Sequence, residues 1–488
     1  MKAEDVARAH QFREGFRLVD YGEIGLPIFR LTIEAVTTSY RTLPTISEFV
    51  MRCLSLGETN EDKIAGMLGL KSDIVNATIN SLAADGFVSR IGALDLHSFK
   101  LTDAGEARLM LEREEVLQEE MLVIDYDGIR RLPIRLAGES VVRASELKAG
   151  GAVEIRPYPA EPPAIGELNI LEVTKVIRRQ GGEDFRRNVL ALKRIVRRAN
   201  VFRQAVALVY LADKGKEVQI GFAFDGKLSE PHERAFAENG GPKKMGFVKA
   251  IDESDGRRRL DRLLGKNLIA ALPDAASLRA LRMEEAAAKA QIRTIAPALE
   301  QEGQQKRPNP AQAAMSAAQD RHKVAQHAIE ALPLRTMAPF EQGELLKEAF
   351  NTAELRLFVS TAGIQSVIVE GYLLREIDNL ISRQVEIEIA CMVQPQANPR
   401  PGNVYDPLSE LTKRSMKNSL RLAQTRAREL FFLIKDNDLA VVANRPFLGE
   451  MVRRSGFQRV EGFVTRRAEY VEEIRGAIAS YLRGAHGG

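Results

Sequence analysis

Apolar positions along the chain follow helical spacing in some regions and strand-like runs in others. In residues 45–105, apolar positions recur every three or four residues in three successive segments, which predicts three helices. These predicted helices span 46–56, 61–68 and 73–84. Asn60 and Ser72 precede the second and third helices and are typical N-cap residues. Two short runs that favour strands follow, at 87–91 and 99–101, and Thr102 caps the next predicted helix.

The central third of the chain has a mixed pattern. Residues 107–120 are dense in charge and predict a solvent-exposed helix. The next strand-like segments are 121–126, 205–212 and 217–224. Residues 275–301 are rich in Ala, Glu and Arg, which predicts a long helix, and prolines near residue 310 predict a linker after it.

From about Gly343 predicted helices and strands alternate regularly, which is typical of a sheet covered by helices. The predicted strands are 355–360 and 385–393, and the predicted helices are 344–350, 372–382, 408–426 and one from about 469. Two apolar runs, Phe431–Ile434 and Leu439–Ala443, flank a polar turn. They predict a β-hairpin with its tip in water.

These patterns predict a multidomain α/β (α+β) protein. The expected segments are an N-terminal arm (1–44), a domain of helices and two strands (45–120), a mixed α/β domain with a basic face (121–272), a helical linker (273–340) and a C-terminal α/β domain (341–488).

Two of these segments resemble known folds. The order of elements in 45–105 resembles a winged-helix domain, and Ala83–Val88 and Leu101–Gly105 resemble the segments that precede and follow its wing. The succession Ala353–Gly363, Leu373–Ile381, Val385–Ile389 and Asp438–Val442 is similar to one phospholipase D-like unit of bacterial nucleases. The resemblance implies a C-terminal domain of that fold.

The chemistry of the phospholipase D-like superfamily is missing from the hairpin. That superfamily uses a His-x-Lys pair followed by an Asp, and aligning Asp436 with the Asp places Glu429 at the His and Phe431 at the Lys. An anionic carboxylate is a poor nucleophile towards an anionic phosphodiester, and Phe431 supplies no cation. Asn444 is displaced from the superfamily's later Asn position. The resemblance therefore implies a degenerate, non-catalytic member, a pseudoenzyme that retains a groove.

Composition limits the classes of protein to which the chain can belong. The chain has 70 Lys and Arg against 66 Asp and Glu, so its formal net charge is only +4 and the local distribution of charge matters more. Two distant cysteines, Cys53 and Cys391, support neither a disulfide framework nor a zinc site, and no apolar run is long enough to span a bilayer. We expect a cytoplasmic protein without membrane segments, metal or cofactor, and the chain has no phosphate-binding Gly-x-x-x-x-Gly-Lys-Ser/Thr loop.

Positive charge is concentrated in two segments. Residues 175–203 contain ten basic and two acidic side chains, and basic residues also crowd the predicted helix 408–426 and the residues just after it. Each segment predicts a nucleic-acid-binding surface, although a solvated basic helix explains the same pattern. The predicted contact residues are Arg178, Arg179, Arg186, Arg187, Lys193, Arg194, Arg197 and Arg198 in the first segment and Lys413, Arg414, Lys417, Arg421, Arg426 and Arg428 in the second.

The winged-helix-like segment has the opposite charge. Residues 45–105 contain five basic against eight acidic side chains, and the third predicted helix offers only Asn76 and Asn80 to a DNA groove. Docking of another protein is therefore favoured over DNA reading, and both remain open.

The sequence predicts a non-catalytic, sequence-independent nucleic-acid-binding accessory subunit. The resemblance implies a place in a bacterial DNA-processing or antiviral defence complex, with a helicase or nuclease partner, and pairing as a homodimer. One alternative is an active nuclease with its site around Glu230, His232 and Glu233. The other is a winged-helix transcriptional regulator.

Overall fold

The fold is mixed α/β with several sheets. A computed structural model describes residues 2–91, 98–111, 114–136, 141–180, 188–302, 310–366, 368–392, 406–416, 419–425, 429–449 and 456–486. The helices are α1 Ala3–Ala9, α2 Thr45–Ser55, α3 Glu61–Leu68, α4 Ser72–Ala84, α5 Asp103–Met110, α6 Ala144–Ala149, α7 Ile170–Gln180, α8 Glu230–Glu238, α9 Gly241–Lys244, α10 Phe247–Glu253, α11 Arg257–Ala270, α12 Ala275–Glu302, α13 Pro310–Glu330, α14 Glu341–Thr352, α15 Gly371–Ser382, α16 Pro407–Ser415 and α17 Ala468–His486. The strands are β1 Phe12–Arg13, β2 Phe16–Arg41, β3 Val88–Arg90, β4 Phe99–Leu101, β5 Glu114–Asp127, β6 Leu132–Ile134, β7 Val141–Val142, β8 Val153–Glu154, β9 Asn188–Ala212, β10 Val218–Phe224, β11 Lys227–Leu228, β12 Arg335–Thr336, β13 Arg356–Thr361, β14 Glu386–Cys391, β15 Leu420–Gln424, β16 Phe431–Lys435, β17 Leu439–Ala443 and β18 Gly462–Thr465.

The chain forms two compact units. The first comprises Met1–Leu26, Val142–Tyr158 and Phe202–Gly488, and the second comprises Pro27–Val141 and Pro159–Val201. The long strands β2 and β9 each contribute residues to both units. The domain boundaries expected from the sequence at 44, 120, 272 and 340 stay a prediction.

In the second unit, β2 and β5 form a long antiparallel ladder that runs from Ile28 opposite Asp127 to Arg41 opposite Glu114. Residues 42–113 lie between these two strand ends and contain α2–α5, β3 and β4. The helix predicted over 107–120 is wrong beyond Met110, because β5 begins at Glu114 and pairs with β2 along its whole length. The ladder hydrogen bonds and packing outweigh the helix propensity of this Glu-rich segment.

The three helices predicted after residue 45 are confirmed as α2, α3 and α4. The side chain of Asn60 accepts hydrogen bonds from the backbone N–H groups of Asp62 and Lys63 at 3.1 and 3.2 Å, so it is the N-cap of α3. Ser72 is instead the first residue of α4, and its hydroxyl donates to Asp62. The apolar faces of the helices meet β3 and β4 in one core.

The C-terminal part of the first unit contains a sheet with the strand order β12-β18-β17-β16-β13-β14-β15. Its middle hairpin, β16 and β17, is confirmed, with Leu433 opposite Val441. Phe431 and Leu433 pack among side chains of α14 and α15, while Phe432 and Ile434 pack among those of α11 and α17. Burial on both faces explains why the two strands read as continuous apolar runs.

The helix predicted over 408–426 is wrong in its second half. Helix α16 ends at Ser415, and β15 runs parallel to β14. Leu420 and Leu422 pair with Ile387 and Ile389, so their period of two places apolar side chains in a sheet position. The basic residues of this segment therefore do not share one helix.

Residues 273–340, expected to be a helical linker, contain α12 and α13, which pack against each other. Across the described ranges, no helix combines the length and apolarity needed to cross a membrane.

Candidate nucleic-acid interface

The first basic segment is divided between a helix and a strand. Arg178 and Arg179 belong to α7, and Lys193, Arg194, Arg197 and Arg198 belong to β9. The alternative of a single solvated basic helix is therefore wrong from Asn188 onwards. Arg186 and Arg187 lie outside the described residues, as does the side chain of Arg179.

Two of the basic side chains on β9 are neutralised by carboxylates. Lys193 Nζ lies 2.5 Å from a carboxylate oxygen of Glu119, and Arg194 Nε lies 2.7 Å from one of Glu34. The hydrogen bond from Arg194 lowers the pKa of Glu34, which keeps this carboxylate ionised. These two cations offer little net charge to an external phosphate.

Arg197 and Arg198 are different. Both are exposed on β9. Within the described part of the chain, no ion pair or hydrogen bond involves either guanidinium group. Arg178 is partly engaged, because it donates to the side chain of Asn188. Arg197 and Arg198 are therefore the residues of this segment best placed to neutralise a phosphate backbone.

In the second basic segment, two of the three described residues are paired. Arg414 donates to Asp378 at 2.9 Å and to Glu410 at 3.0 Å, and Lys413 lies 2.6 Å from Glu410. Hydrogen bonds from Lys413 and Arg414 lower the pKa of Glu410, and the hydrogen bond to Asp378 raises that of Arg414.

Arg421 is exposed on β15, beside Glu388 of the neighbouring strand. Lys417, Arg426 and Arg428 lie outside the described residues. The structure therefore brings Lys413 and Arg414 together on α16 and places Arg421 on a separate strand.

The hairpin positions that align with catalytic residues have structural contacts. Phe431 is 1% exposed and belongs to the core below α14 and α15. The Glu429 carboxylate pairs with Arg259 at 3.0 Å. Lys435 is buried and pairs with Asp438 at 2.7 Å. Glu429 and Phe431, the positions aligned with the His and the Lys, are thus held in an ion pair and in the core.

Asp436 holds the tip of the hairpin against the start of β13. Its carboxylate accepts hydrogen bonds from the backbone N–H groups of Glu354, Leu355 and Arg356 at 2.8–2.9 Å. Partial burial raises the pKa of Asp436, but these three bonds outweigh it, so the pKa lies below its usual value. Backbone anchoring thus explains the carboxylate at this position.

Asn444 is likewise occupied inside the protein. Its amide nitrogen donates to the carbonyl oxygens of Ser254 at 3.1 Å and Arg459 at 2.7 Å. Its amide oxygen accepts from the backbone N–H of Glu461 at 2.9 Å. The side chain joins segments of the first unit, and both of its amide hydrogens are used within the protein.

The cluster around His232 does not form a carboxylate–histidine site. His232 is buried, its Nδ1 lies 2.7 Å from the Ser229 hydroxyl, and its ring lies 4.9 Å from that of Phe224. Glu233 pairs with Arg13, and Glu230 pairs with Arg234. No group of three potential metal-ligating His, Cys, Asp or Glu side chains occurs among the residues that the structure describes.

The polar side chains of α4 bond within their own unit. Asn76 donates to Glu61 at 3.0 Å, and Asn80 donates to Asn76 at 2.7 Å. Both amides therefore already have hydrogen-bond partners, whereas a side chain that reads bases needs free donors and acceptors.

Sequence reasoning missed a cavity of about 420 Å³ in the first unit that several arginines line. These are Arg17, Arg257, Arg279, Arg282 and Arg459. They come from distant parts of the chain, and only Arg257 belongs to a local run of basic residues. No local charge pattern identifies such a site.

No protein-family model and no curated protein sequence matches this chain. Among solved structures, it is similar to TrmBL2, an archaeal chromatin protein with a novel mode of DNA binding. The identity is 18%, the match covers 36% of this chain and 62% of that protein, and the TM-score is 0.23.

Two further structures are similar at the same level. NucT from Helicobacter pylori is 10% identical over 31% of this chain and 97% of its own, with a TM-score of 0.21. A phosphatidylserine synthase from Haemophilus influenzae Rd KW20 is 9% identical over 36% of this chain and 47% of its own, with a TM-score of 0.19. The chain spans less than two thirds of TrmBL2 and under half of the synthase. These likenesses are weak, and no function is transferred from them.

Proposed function

We propose that this chain is a non-catalytic protein that binds nucleic-acid backbones without reading their sequence. The observation that carries the proposal is the pair of exposed arginines on β9, Arg197 and Arg198, for which the described residues provide no partner. Phosphate neutralisation by such side chains supplies most of the affinity of non-specific binding. Arg421 on β15 is a further exposed cation.

The absence of catalysis is part of the proposal. Its support is the use of Glu429 in an ion pair, of Phe431 in the core and of Asp436 in backbone anchoring. In this proposal residues 45–110 are a winged helix and residues 341–488 are a degenerate phospholipase D-like domain. The proposed setting is an accessory subunit of a bacterial DNA-processing or defence complex, where a helicase or nuclease partner performs the chemistry.

Residues 45–110 are the proposed docking surface for that partner. Asn76 and Asn80 are already hydrogen-bonded. Phe49 and Leu56 expose large apolar side chains, with 50% and 83% of their surface accessible.

We expect the double substitution of Asn76 and Asn80 by Ala to leave the affinity for DNA unchanged, because in this proposal these amides do not contact DNA. A loss of affinity in that variant, measured by fluorescence anisotropy, would assign DNA reading to α4.

The central test is binding to duplexes of unrelated sequence across a salt series. We expect a steep fall in affinity with salt and equal affinity for unrelated sequences. The double variant Arg197→Gln/Arg198→Gln should reduce the log–log salt slope by about 1, since neighbouring strand residues project to opposite faces and each lost phosphate contact removes about one unit. A flat salt profile would refute the proposal.

The matched control is Lys193→Gln/Arg194→Gln, which removes the same formal charge from the same strand. Because Glu119 and Glu34 already neutralise these cations, we expect a smaller change in slope. Equal effects of the two double variants would show that exposure and pairing do not determine the contact. Metal-dependent phosphodiester cleavage that is lost in His232→Ala would contradict the non-catalytic assignment.

A further inference from the structure

The arginine-lined cavity has the dimensions of a small-molecule site. Its volume is about 420 Å³, within the range of about 300–1,000 Å³ typical of such sites. The walls come from strands β1 and β2, helices α11 and α12, and residues 336–340 and 459–463, all in the first unit. The cavity is separate from the basic part of β9 in the second unit.

The wall of the cavity has an excess of positive charge. Five arginines line it, against the two carboxylates of Asp213 and Glu461. The carboxylates that pair with Arg257 and Arg282, those of Asp261 and Glu341, are not among the lining residues. A ligand in the cavity therefore meets more guanidinium groups than carboxylates.

Some of these arginines are fixed by the fold. Arg282 donates to the carbonyl oxygen of Thr336 at 2.7 Å and to Glu341 at 3.1 Å. Arg257 lies over the ring of Phe463, 4.8 Å from its centroid. These contacts hold the wall in place without requiring a ligand.

Other arginines retain donors for a ligand. Arg17 forms no ion pair or side-chain hydrogen bond within the described residues, and the nearest carboxylate contact of Arg279 is a long one, 3.7 Å to Asp213. Nε of Arg459 is buried without a hydrogen-bond acceptor in the described part of the chain, although its terminal nitrogens pair with Asp255 and Glu461.

The hairpin formed by β1 and β2 supplies aromatic side chains to the cavity. Phe12 and Phe16 are half-buried and line the cavity on either side of the turn that precedes Arg17. The backbone N–H of Asp213 donates to the carbonyl oxygen of Gly15 at 2.9 Å and holds this turn in place. Aromatic rings beside an arginine favour a ligand that joins a planar ring system to an anionic group.

We propose that this cavity binds a nucleoside monophosphate, with the phosphate at Arg17 and the free donors of Arg279 and Arg459 and the base against Phe12 and Phe16. Phosphate matches the planar guanidinium donors, and the enclosed volume suits one nucleotide and excludes a nucleic-acid duplex. The site is independent of the proposed nucleic-acid surface.

Isothermal titration of the full chain with the common ribonucleoside monophosphates tests the proposal, with the matching nucleosides and inorganic phosphate as comparison ligands. We expect at least one monophosphate to bind, and its nucleoside and inorganic phosphate to bind at least about tenfold more weakly. Arg17→Gln should weaken monophosphate binding by about tenfold or more, because it removes a charge-assisted hydrogen bond. Phe16→Leu should weaken the monophosphate while leaving binding of inorganic phosphate unchanged.

Arg17 is exposed and has no described partner, so Arg17→Gln should fold as the wild type does, which thermal unfolding checks. Arg279→Gln is a second variant of the same site. Arg197→Gln/Arg198→Gln is the control that should lose affinity for duplex DNA and keep the nucleotide, whereas Arg17→Gln should do the reverse. The proposal is overturned by no binding of any monophosphate at millimolar concentration, by wild-type affinity in both arginine variants, or by equal affinity for inorganic phosphate.

Discussion

The sequence suggested a function both for the hairpin of β16 and β17 and for the basic part of β9. The side chains concerned are held within the protein in the hairpin and exposed to solvent on β9. In the hairpin, Phe431 is in the core, and Asp436 is bonded to the backbone of β13. On β9, Arg197 and Arg198 are exposed. Residues that a sequence motif singles out can thus be held within the fold, whereas exposed and unpaired charge remains available for binding.

The largest effect should come from the hairpin. Phe431→Ala removes a fully buried ring and should lower the free energy of unfolding by about 3–5 kcal/mol. Phe431→Lys should destabilise at least as much, because it buries an unpaired charge. Urea unfolding measures both. A stable Phe431→Lys variant with nuclease activity would show that the hairpin serves catalysis and not stability alone.

Asp436→Ala should cost less, about 2–3 kcal/mol, because three backbone N–H groups lose a charged acceptor. Asp436→Asn is the conservative control, since it keeps one acceptor oxygen without the charge. Wild-type stability in the alanine variant, measured by urea unfolding, would mean that the turn is held by its backbone alone.

The contribution of Asp436 should also depend on pH. Its pKa in the folded chain is lowered below the unfolded value of about 3.9, so its stabilisation is complete above that value and disappears as the pH falls through the folded pKa. The difference in unfolding free energy between the wild type and Asp436→Asn should therefore be constant from neutral pH to about 5 and shrink below about 4. A difference that grows on acidification would contradict this sign.

The paired cations on β9 should have a small effect on stability. Arg194→Gln should change the free energy of unfolding only slightly, because its ion pair with Glu34 is exposed to solvent. Added salt should reduce this difference further. An effect as large as that of Phe431→Ala would show that the strand depends on this pair.

The smallest effect on stability should come from Arg197→Gln, within about 0.5 kcal/mol, because the side chain is exposed and has no described partner. The same change should nevertheless reduce the salt dependence of DNA binding. Chemical unfolding and anisotropy on one preparation compare the two quantities directly.

Local patterns predicted the parts of the fold that depend on neighbouring residues. The three helices after residue 45 and the buried hairpin follow from periodicity, turn residues and the Asn60 cap. Residues 114–120 and 420–424, which were expected to be helical, are strands, and their partners β2 and β14 are distant in sequence. Local composition does not reveal such pairing.

The same limit applies to the candidate sites. The basic clusters could be counted from the sequence, but Glu34 pairs with Arg194 across 160 positions and reduces the free charge there. The cavity is less visible still, since Arg17 and Arg459 belong to opposite ends of the chain. Only tertiary structure brings these side chains together.

The ladder between β2 and β5 makes the helical segment of the second unit exchangeable. Arg41 and Glu114 face each other as paired strand residues, so everything from 42 to 113 leaves the sheet and returns at the same place. A two-residue Asn-Gly turn is the usual way to join such antiparallel neighbours. Evolution or an engineer can thus replace this helical segment with another at the junction while the strands keep their register.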